Sequence, residues 1–176
     1  MEKTITPWSV PVTLEEIPET GLHREIEAPA AVRTAIAELA GLRELSALSA
    51  VFDLALRGNG VAVSGRVQAR VGQTCVVTLE PIQNTVDEPI NVLFASTPTE
   101  AALTSKTHDA EEDVPEALID GKLDLGALAT EFLVLAIDPY PRKPGAEFVP
   151  PKVEDGSDHP FAALAALKKR SGFGQS

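Results

Sequence analysis

The side chains best suited to chemistry in this sequence are three histidines and one cysteine. His23, His108 and His159 are far apart in the chain, and none has an acidic, histidine or cysteine partner at the spacing that a helix or hairpin uses to bind a metal. A protein metal site of this kind brings three or four such ligands together. The sequence therefore predicts no histidine-based metal site.

Cys75 is the only cysteine, so no disulfide can form within the chain. It falls on the apolar side of a predicted strand, where a thiol is usually a small, inert hydrophobe with a raised pKa. The alternative is a nucleophile in an enzyme of unrecognised type, which the Cys75→Ala substitution would inactivate. The sequence also lacks the glycine-rich nucleotide motifs and the G-x-S-x-G motif of serine hydrolases. We therefore predict a protein that is not an enzyme, with no catalytic residues and no cofactor.

Aromatic and cationic side chains offer a second kind of candidate, a contact surface. In "DPYPRKPG" (138–145), each proline holds the residue before it in an extended geometry, which lowers the entropy cost of ordering the segment on binding. Tyr140 offers a flat amphipathic ring, and Arg142 and Lys143 offer two adjacent cations. The other interpretation is a rigid exit from a buried helix, with Tyr140 packed against the sheet. A helix stop needs only one proline, and the sequence leaves both interpretations open.

Arg66 and Arg70 form a third group of candidates. They lie four residues apart, with Gln68 between them, on the polar side of a predicted strand. This side is either an ordinary solvated sheet face or a patch that contacts an anion or RNA.

A sheet must position most of these residues, because apolar and polar residues alternate over about 48 positions. The predicted strands cover 47–57, 61–71, 75–79 and 86–94, with reversals at "RGNG" (57–60) and at "GQ" (72–73). In the third run, Cys75, Val77 and Leu79 are expected to face inward. The pattern predicts an α+β fold with an antiparallel meander, either open or partly closed like a barrel, that packs with two main helices.

The two helices are predicted on either side of the meander in the chain. The first opens at Pro29 and carries an apolar stripe that includes Leu39. The second follows an N-cap at Asp124, and Leu135 widens its apolar face, so we expect this helix to be largely buried. Pro139 ends it, because proline cannot donate a hydrogen bond and disfavours helix in the residue before it.

The predicted organisation is a single α+β domain over residues 1–148 and a tail over residues 149–176. The domain includes an acidic flexible loop at about 96–116, and the tail combines a flexible linker with a short C-terminal helix at 159–170. Shorter extended segments are predicted at 4–14, 23–28 and 117–126.

The net charge of the chain favours some classes of binding partner over others. The 176 residues include 26 acidic and 15 basic side chains, which gives a net charge of −11. A chain with this charge repels phosphate as a whole, so general nucleic-acid binding is disfavoured and a basic protein partner is plausible. No secretory signal and no membrane-spanning run is visible in the sequence, and we expect a cytoplasmic protein.

Several segments together resemble the bacterial and plastid YceD family, also called DUF177, in its alphaproteobacterial form. These are "VSGRVQARVGQTCVVTLEPI" (63–82), "VDEPINVLF" (86–94), the acidic stretch that follows, "LDLGALATEFLVLAIDPYPRKPGAEF" (123–148) and "HPFAALAALKK" (159–169). Many relatives carry C-x-x-C where this chain has "CVVT", with Thr78 in place of the second cysteine. One cysteine cannot form a zinc knuckle or a redox pair, so neither is expected here.

The resemblance implies a role in accumulation of the 23S ribosomal RNA, and so in biogenesis of the large ribosomal subunit. The expected partner is the precursor of that subunit, bound through its RNA, its proteins or assembly factors, with Tyr140, Arg142, Lys143, Arg66 and Arg70 as candidate contacts. A general protein-interaction adaptor is the alternative. The oligomeric state is left open.

Overall fold

The architecture is described by a computed structural model for residues 6–95, 115–118, 121–148 and 150. The strands are β1 (Pro11–Thr13), β2 (Leu22–Glu27), β3 (Glu44–Arg57), β4 (Gly60–Thr74), β5 (Pro81–Ala95), β6 (Glu116–Ala117) and β7 (Lys122–Asp124). The helices are a short 3-10 turn (Leu14–Glu16), α1 (Ala30–Leu39) and α2 (Leu125–Ala136).

The main sheet has the strand order β2-β3-β4-β5-β6. Each neighbouring pair is antiparallel except β5 and β6, which are parallel over two residues. The sheet is open, with β2 and β6 at its edges, and β1 pairs with β7 in a separate two-stranded sheet. The α+β prediction is confirmed, in its open form.

One face of the sheet is buried because apolar residues recur at every second position. The buried residues of β3 include Leu48, Ala50, Phe52 and Leu54, and those of β4 include Val61, Val63, Val67, Ala69 and Val71, as the alternation predicted. Both helices contribute to the same continuous hydrophobic cluster. The other sheet face carries the polar residues of the same strands.

The prediction of a reversal at residues 72–73, with a separate strand after it, is wrong. β4 continues to Thr74, and Gly72 pairs with Glu44 on one side and Gln83 on the other. A Cβ on Gly72 would lie 3.1 Å from the Cβ of Glu44, so this glycine serves close packing inside the sheet and not a turn. The chain reverses instead in the six residues Cys75–Glu80, which we call the β4–β5 turn.

Helix α1 follows Pro29 as predicted, and Gly41, at a φ of +64°, lies just beyond its end. Ile36 is fully buried. Leu39, which the sequence placed on the buried stripe, is 64% exposed and belongs to the last turn of the helix.

Helix α2 begins where predicted, and the Asp124 carboxylate accepts hydrogen bonds from the main-chain N–H groups of Gly126 and Ala127. Leu133 is fully buried. The expectation that Leu135 would widen the buried face is wrong, since its side chain is 76% exposed. Successive helical residues turn by about 100°, so a residue two positions from Leu133 points away from the core.

By compactness the chain divides into two units, residues 1–146 and 147–176. The second unit lies almost wholly outside the described residues, as do the C-terminal helix predicted at 159–170 and most of the acidic loop predicted at 96–116. The predicted domain boundary after residue 148 stays a prediction. Among the described residues, no helix combines the length and the apolar character needed to cross a membrane.

Candidate functional site

Residues Asp138–Gly145, which we call the proline segment, lie alongside the β4–β5 turn. The main-chain N–H of Val76 donates to the carbonyl oxygen of Pro141 at 2.9 Å, and the N–H of Lys143 donates to the Cys75 sulfur at 3.3 Å. Pro141 is buried, although its neighbours in the segment are exposed. Main-chain contacts therefore fix the proline segment in place, more than 60 residues along the chain from the turn that holds it.

Hydrogen bonds between residues close in sequence hold both ends of the proline segment. The Asp138 carboxylate accepts from the main-chain N–H of Tyr140 at 2.8 Å, which closes a turn directly after helix α2. At the other end the N–H of Ala146 donates to the Lys143 carbonyl oxygen at 3.0 Å, and Gly145 takes a φ of +75° between them. The segment is held as a short irregular stretch between two turns.

A buried polar side chain fastens the start of the segment to the sheet. The Gln73 amide nitrogen donates to the Asp138 carbonyl oxygen at 2.8 Å, and the Gln73 amide oxygen accepts from Asn84 at 2.9 Å. Gln73 is only 8% exposed. Because both of its polar ends are satisfied, it links β4, β5 and the proline segment without the cost of an unpaired buried group.

Cys75 has a different environment from the one the sequence predicted. It lies in the β4–β5 turn and has no exposed surface, but its sulfur accepts hydrogen bonds from the N–H groups of Lys143 and, at 3.4 Å, Thr78. These donors favour the thiolate and outweigh the effect of burial, so they lower the pKa of Cys75 to about 6, with the Lys143 N–H as the largest cause. The predicted raised pKa is therefore wrong in direction.

An ion pair also joins the two segments. The Lys143 ammonium lies 2.8 Å from the Glu80 carboxylate, and both side chains are about half exposed. Each partner favours the charged form of the other, so the pKa of Lys143 is raised and the pKa of Glu80 is lowered. One of the two candidate cations is thus partly neutralised within the protein.

The remaining candidate side chains of the segment point outward. Tyr140 is 72% exposed, so it is not packed against the sheet, and Arg142 is exposed with no ion-pair partner in the described part of the chain. The two interpretations of the segment are therefore compatible. Its main chain is a fixed structural exit from α2, and its Tyr140 and Arg142 side chains are available for contact. Their role in contact stays a prediction.

The sheet-face arginines, Arg66 and Arg70, lie on β4 and not in the proline segment. Arg66 lies 2.5 Å from the Asp87 carboxylate on the neighbouring strand, and this contact lowers the pKa of Asp87. Arg70 is exposed on the same face, and no ion pair forms on it among the described residues. Arg66 lies seven residues before Gln73 along β4, which corresponds to about 23 Å of strand. The five candidate residues therefore do not converge on one site.

His23 has carboxylate partners that sequence spacing did not reveal. Its Nδ1 lies 2.7 Å from Asp53, directly opposite on β3, and its Nε2 lies 3.6 Å from Glu25. These carboxylates, Asp53 first, raise the pKa of His23. Within the described ranges, no group of three or more histidine, cysteine or acidic side chains is placed to hold a metal ion.

Comparison with known protein families gives a match. The family model described as "Large ribosomal RNA subunit accumulation protein YceD" matches residues 63–168, which is more than half of the chain and includes the β4–β5 turn and the proline segment. No curated protein and no solved structure matches the chain.

Proposed function

Because the chain belongs to the YceD family of large ribosomal RNA subunit accumulation proteins, we propose that it is a non-enzymatic factor that binds the precursor of the large ribosomal subunit. Binding to the RNA, to ribosomal proteins or to assembly factors within that particle would support accumulation of the 23S ribosomal RNA. The family is named for this accumulation and not for a catalysed reaction.

The observation that carries this proposal is the fixed main chain of the proline segment beneath two outward side chains. A segment that is already ordered loses little entropy on binding, and tyrosine and arginine are the side chains that most often dominate binding energy at interfaces. The Val76–Pro141 hydrogen bond and the burial of Pro141 hold the main chain of the segment, and neither contact involves the exposed side chains of Tyr140 and Arg142.

Cys75 supports the binding role over the enzymatic alternative. A catalytic thiol must reach its substrate, whereas the Cys75 sulfur has no exposed surface and is held by N–H groups of its own chain. Its hydrogen bonds support a structural role, in which the sulfur helps to hold the proline segment against the turn.

The charge of the chain bears on how the precursor would be bound. At a net charge of −11, broad contact with the RNA backbone is electrostatically unfavourable, while long-range attraction favours basic proteins of the particle. We place this activity in the cytoplasm, where a ribosomal precursor and a lone reduced cysteine would both be found.

Charge reversal at Arg142 tests the proposal. We expect Arg142→Glu to reduce co-sedimentation of the full-length protein with large-subunit precursor particles by about tenfold, a typical loss for an interface arginine. The melting temperature should change little, because Arg142 is exposed and has no ion pair in the described part of the chain. In cells the same variant should lower the level of 23S ribosomal RNA.

Arg57→Glu is the matched control, since Arg57 is also exposed but lies at the far end of β3. It should leave co-sedimentation unchanged. A wild-type protein that does not co-sediment would overturn the proposed function. A lower melting temperature with intact binding in Arg142→Glu would make the proline segment a structural element only.

A further inference from the structure

Leu79 in the β4–β5 turn has a backbone conformation that does not suit its residue type. Its φ is +60°, and it is the one non-glycine residue in the described part of the chain with a positive φ. Left-handed backbone is strained for a residue with a Cβ, and glycine or asparagine is the usual choice there. Other turns of this chain follow that rule, since Gly58 and Gly121 take the same region.

Burial does not compensate for the strain at Leu79. Its side chain is 75% exposed, so leucine gains little from the hydrophobic effect at this position. Neither backbone preference nor burial of the side chain therefore explains why a leucine occupies this position. Strain of this kind is found where a function requires the side chain.

Two further exposed apolar side chains belong to the same place. Val76, in the same turn, is 45% exposed, and its main chain is bonded to Pro141, the neighbour of the exposed Tyr140. We call Val76, Leu79 and Tyr140 the apolar patch. The contacts that fasten the proline segment to the turn are what bring these three residues into one region, although they are far apart in the sequence.

The charges around the apolar patch favour a protein partner over RNA. The β4–β5 turn and the proline segment together contain two acidic and two basic side chains, Glu80, Asp138, Arg142 and Lys143, so the region carries no net positive charge. The Lys143 charge is moreover paired with Glu80. An apolar surface of this kind lacks the positive charge needed to displace counterions from phosphates, but it matches the apolar centre of a protein interface.

We propose that the apolar patch is the docking surface for a basic protein, which inserts an apolar side chain against Leu79 and Val76 and stacks against Tyr140. The partner is expected to be basic because the remainder of this chain is strongly acidic and attracts a cationic surface at long range. This inference rests on the proposed function and makes the partner a protein component of the large subunit or its precursor.

The substitution Leu79→Asn provides the test, because asparagine suits a positive φ and removes the apolar side chain. The full-length protein is mixed separately with intact precursor particles, with RNA-free proteins of the large subunit, and with protein-free 23S ribosomal RNA. We expect the wild type to bind the particles and the RNA-free proteins, and Leu79→Asn to bind both about tenfold more weakly without a decrease in melting temperature. Leu135→Gln is the matched control, since Leu135 is equally exposed on α2 and should bind as the wild type does.

The other outcomes each reject a different statement. Wild type that binds the particles and the 23S RNA but not the RNA-free proteins would make the partner RNA and overturn the inference. Leu79→Asn that binds as the wild type does would show that the patch is not the docking surface. If Leu79→Asn instead abolished self-association and left protein binding intact, the patch would be a contact between copies of this chain, and the inference would be wrong. Wild type that binds none of the three probes would reject the proposed function itself.

Discussion

The two turns at the ends of β4 solve the same geometrical problem in different ways. The β3–β4 turn reverses the chain in two residues, Gly58 and Asn59, and the positive φ that it needs falls on a glycine. The β4–β5 turn uses six residues, and its positive φ falls on Leu79. The residue types of the β3–β4 turn are those that a two-residue hairpin turn favours.

The long turn contains more structure than a reversal requires. It buries the Cys75 sulfur, receives the proline segment through main-chain hydrogen bonds, and exposes apolar side chains. A hairpin without these features would be shorter and unstrained, as its neighbour is. The difference between the two turns lies in the strain and exposure of Leu79, which the reversal of the chain does not require.

The largest expected effect lies beside the short turn, at the first residue of β4. A Cβ on Gly60 would overlap the carbonyl group of Phe94 on β5, so Gly60→Ala should destabilise the protein by about 3 kcal/mol, the upper range for overpacking. In urea unfolding the midpoint should fall clearly, and the melting temperature should fall by about 6–12 °C. Gly58→Asn is the control, because Gly58 faces open space and asparagine tolerates its φ of +56°. Equal midpoints for the two variants would show that the short turn is not tightly packed.

Sequence reasoning succeeded where the determinants were local. Alternation located the long strands, and Asp124 and Pro139 marked the ends of α2. It failed at Gly72, because a glycine in a strand signals a turn and a close approach equally well, and only the pairing of three strands decides between them. It also failed to bring Cys75 beside Lys143, since contacts between residues 68 positions apart leave no periodic signal.

Removal of the Cys75 sulfur should have the next largest effect, and it acts on the long turn. Cys75→Ala leaves the N–H groups of Lys143 and Thr78 without their sulfur acceptor in a partly buried site. Unsatisfied buried donors are destabilising, and we expect the melting temperature to fall by about 5 °C. Differential scanning calorimetry measures this directly. Cys75→Ser keeps an acceptor and should lose less. Identical melting temperatures for Cys75→Ala and the wild type would show that the hydrogen bonds to the Cys75 sulfur add no stability.

The pH dependence of stability should distinguish the long turn, which holds Cys75, from the sheet edge, where His23 lies on β2. The pKa of Cys75 is about 6 in the folded protein against an ordinary value of 9.0, so between these values the unfolded chain binds more protons and stability rises with pH. The raised pKa of His23 has the opposite effect, since its contribution is complete below its ordinary value of 6.5 and is lost as pH rises through the folded value.

The difference between wild type and Cys75→Ala isolates the thiol from the histidine. Melting temperatures from pH 6 to pH 9 should show a stabilisation of the wild type over the variant that grows by a few degrees across this range. His23→Gln should leave that difference unchanged. A difference that is constant with pH would mean that Cys75 remains a neutral thiol in the folded protein.

The smallest expected effect is a gain in stability, and it bears most directly on the comparison of the turns. Leu79→Asn removes the strain of a branched side chain at a positive φ while sacrificing little burial, so it should stabilise the protein by about 1 kcal/mol. The reciprocal change Gly58→Leu introduces the same strain into the short turn and should destabilise it by a similar amount. Urea midpoints that move in opposite directions for the two variants would establish that Leu79 is retained at a cost to stability.

Because selection commonly tolerates such a cost where a side chain is needed for function, the same Leu79→Asn protein should be more stable and less able to bind. A Leu79→Asn variant that is destabilised would show instead that the leucine supports the fold.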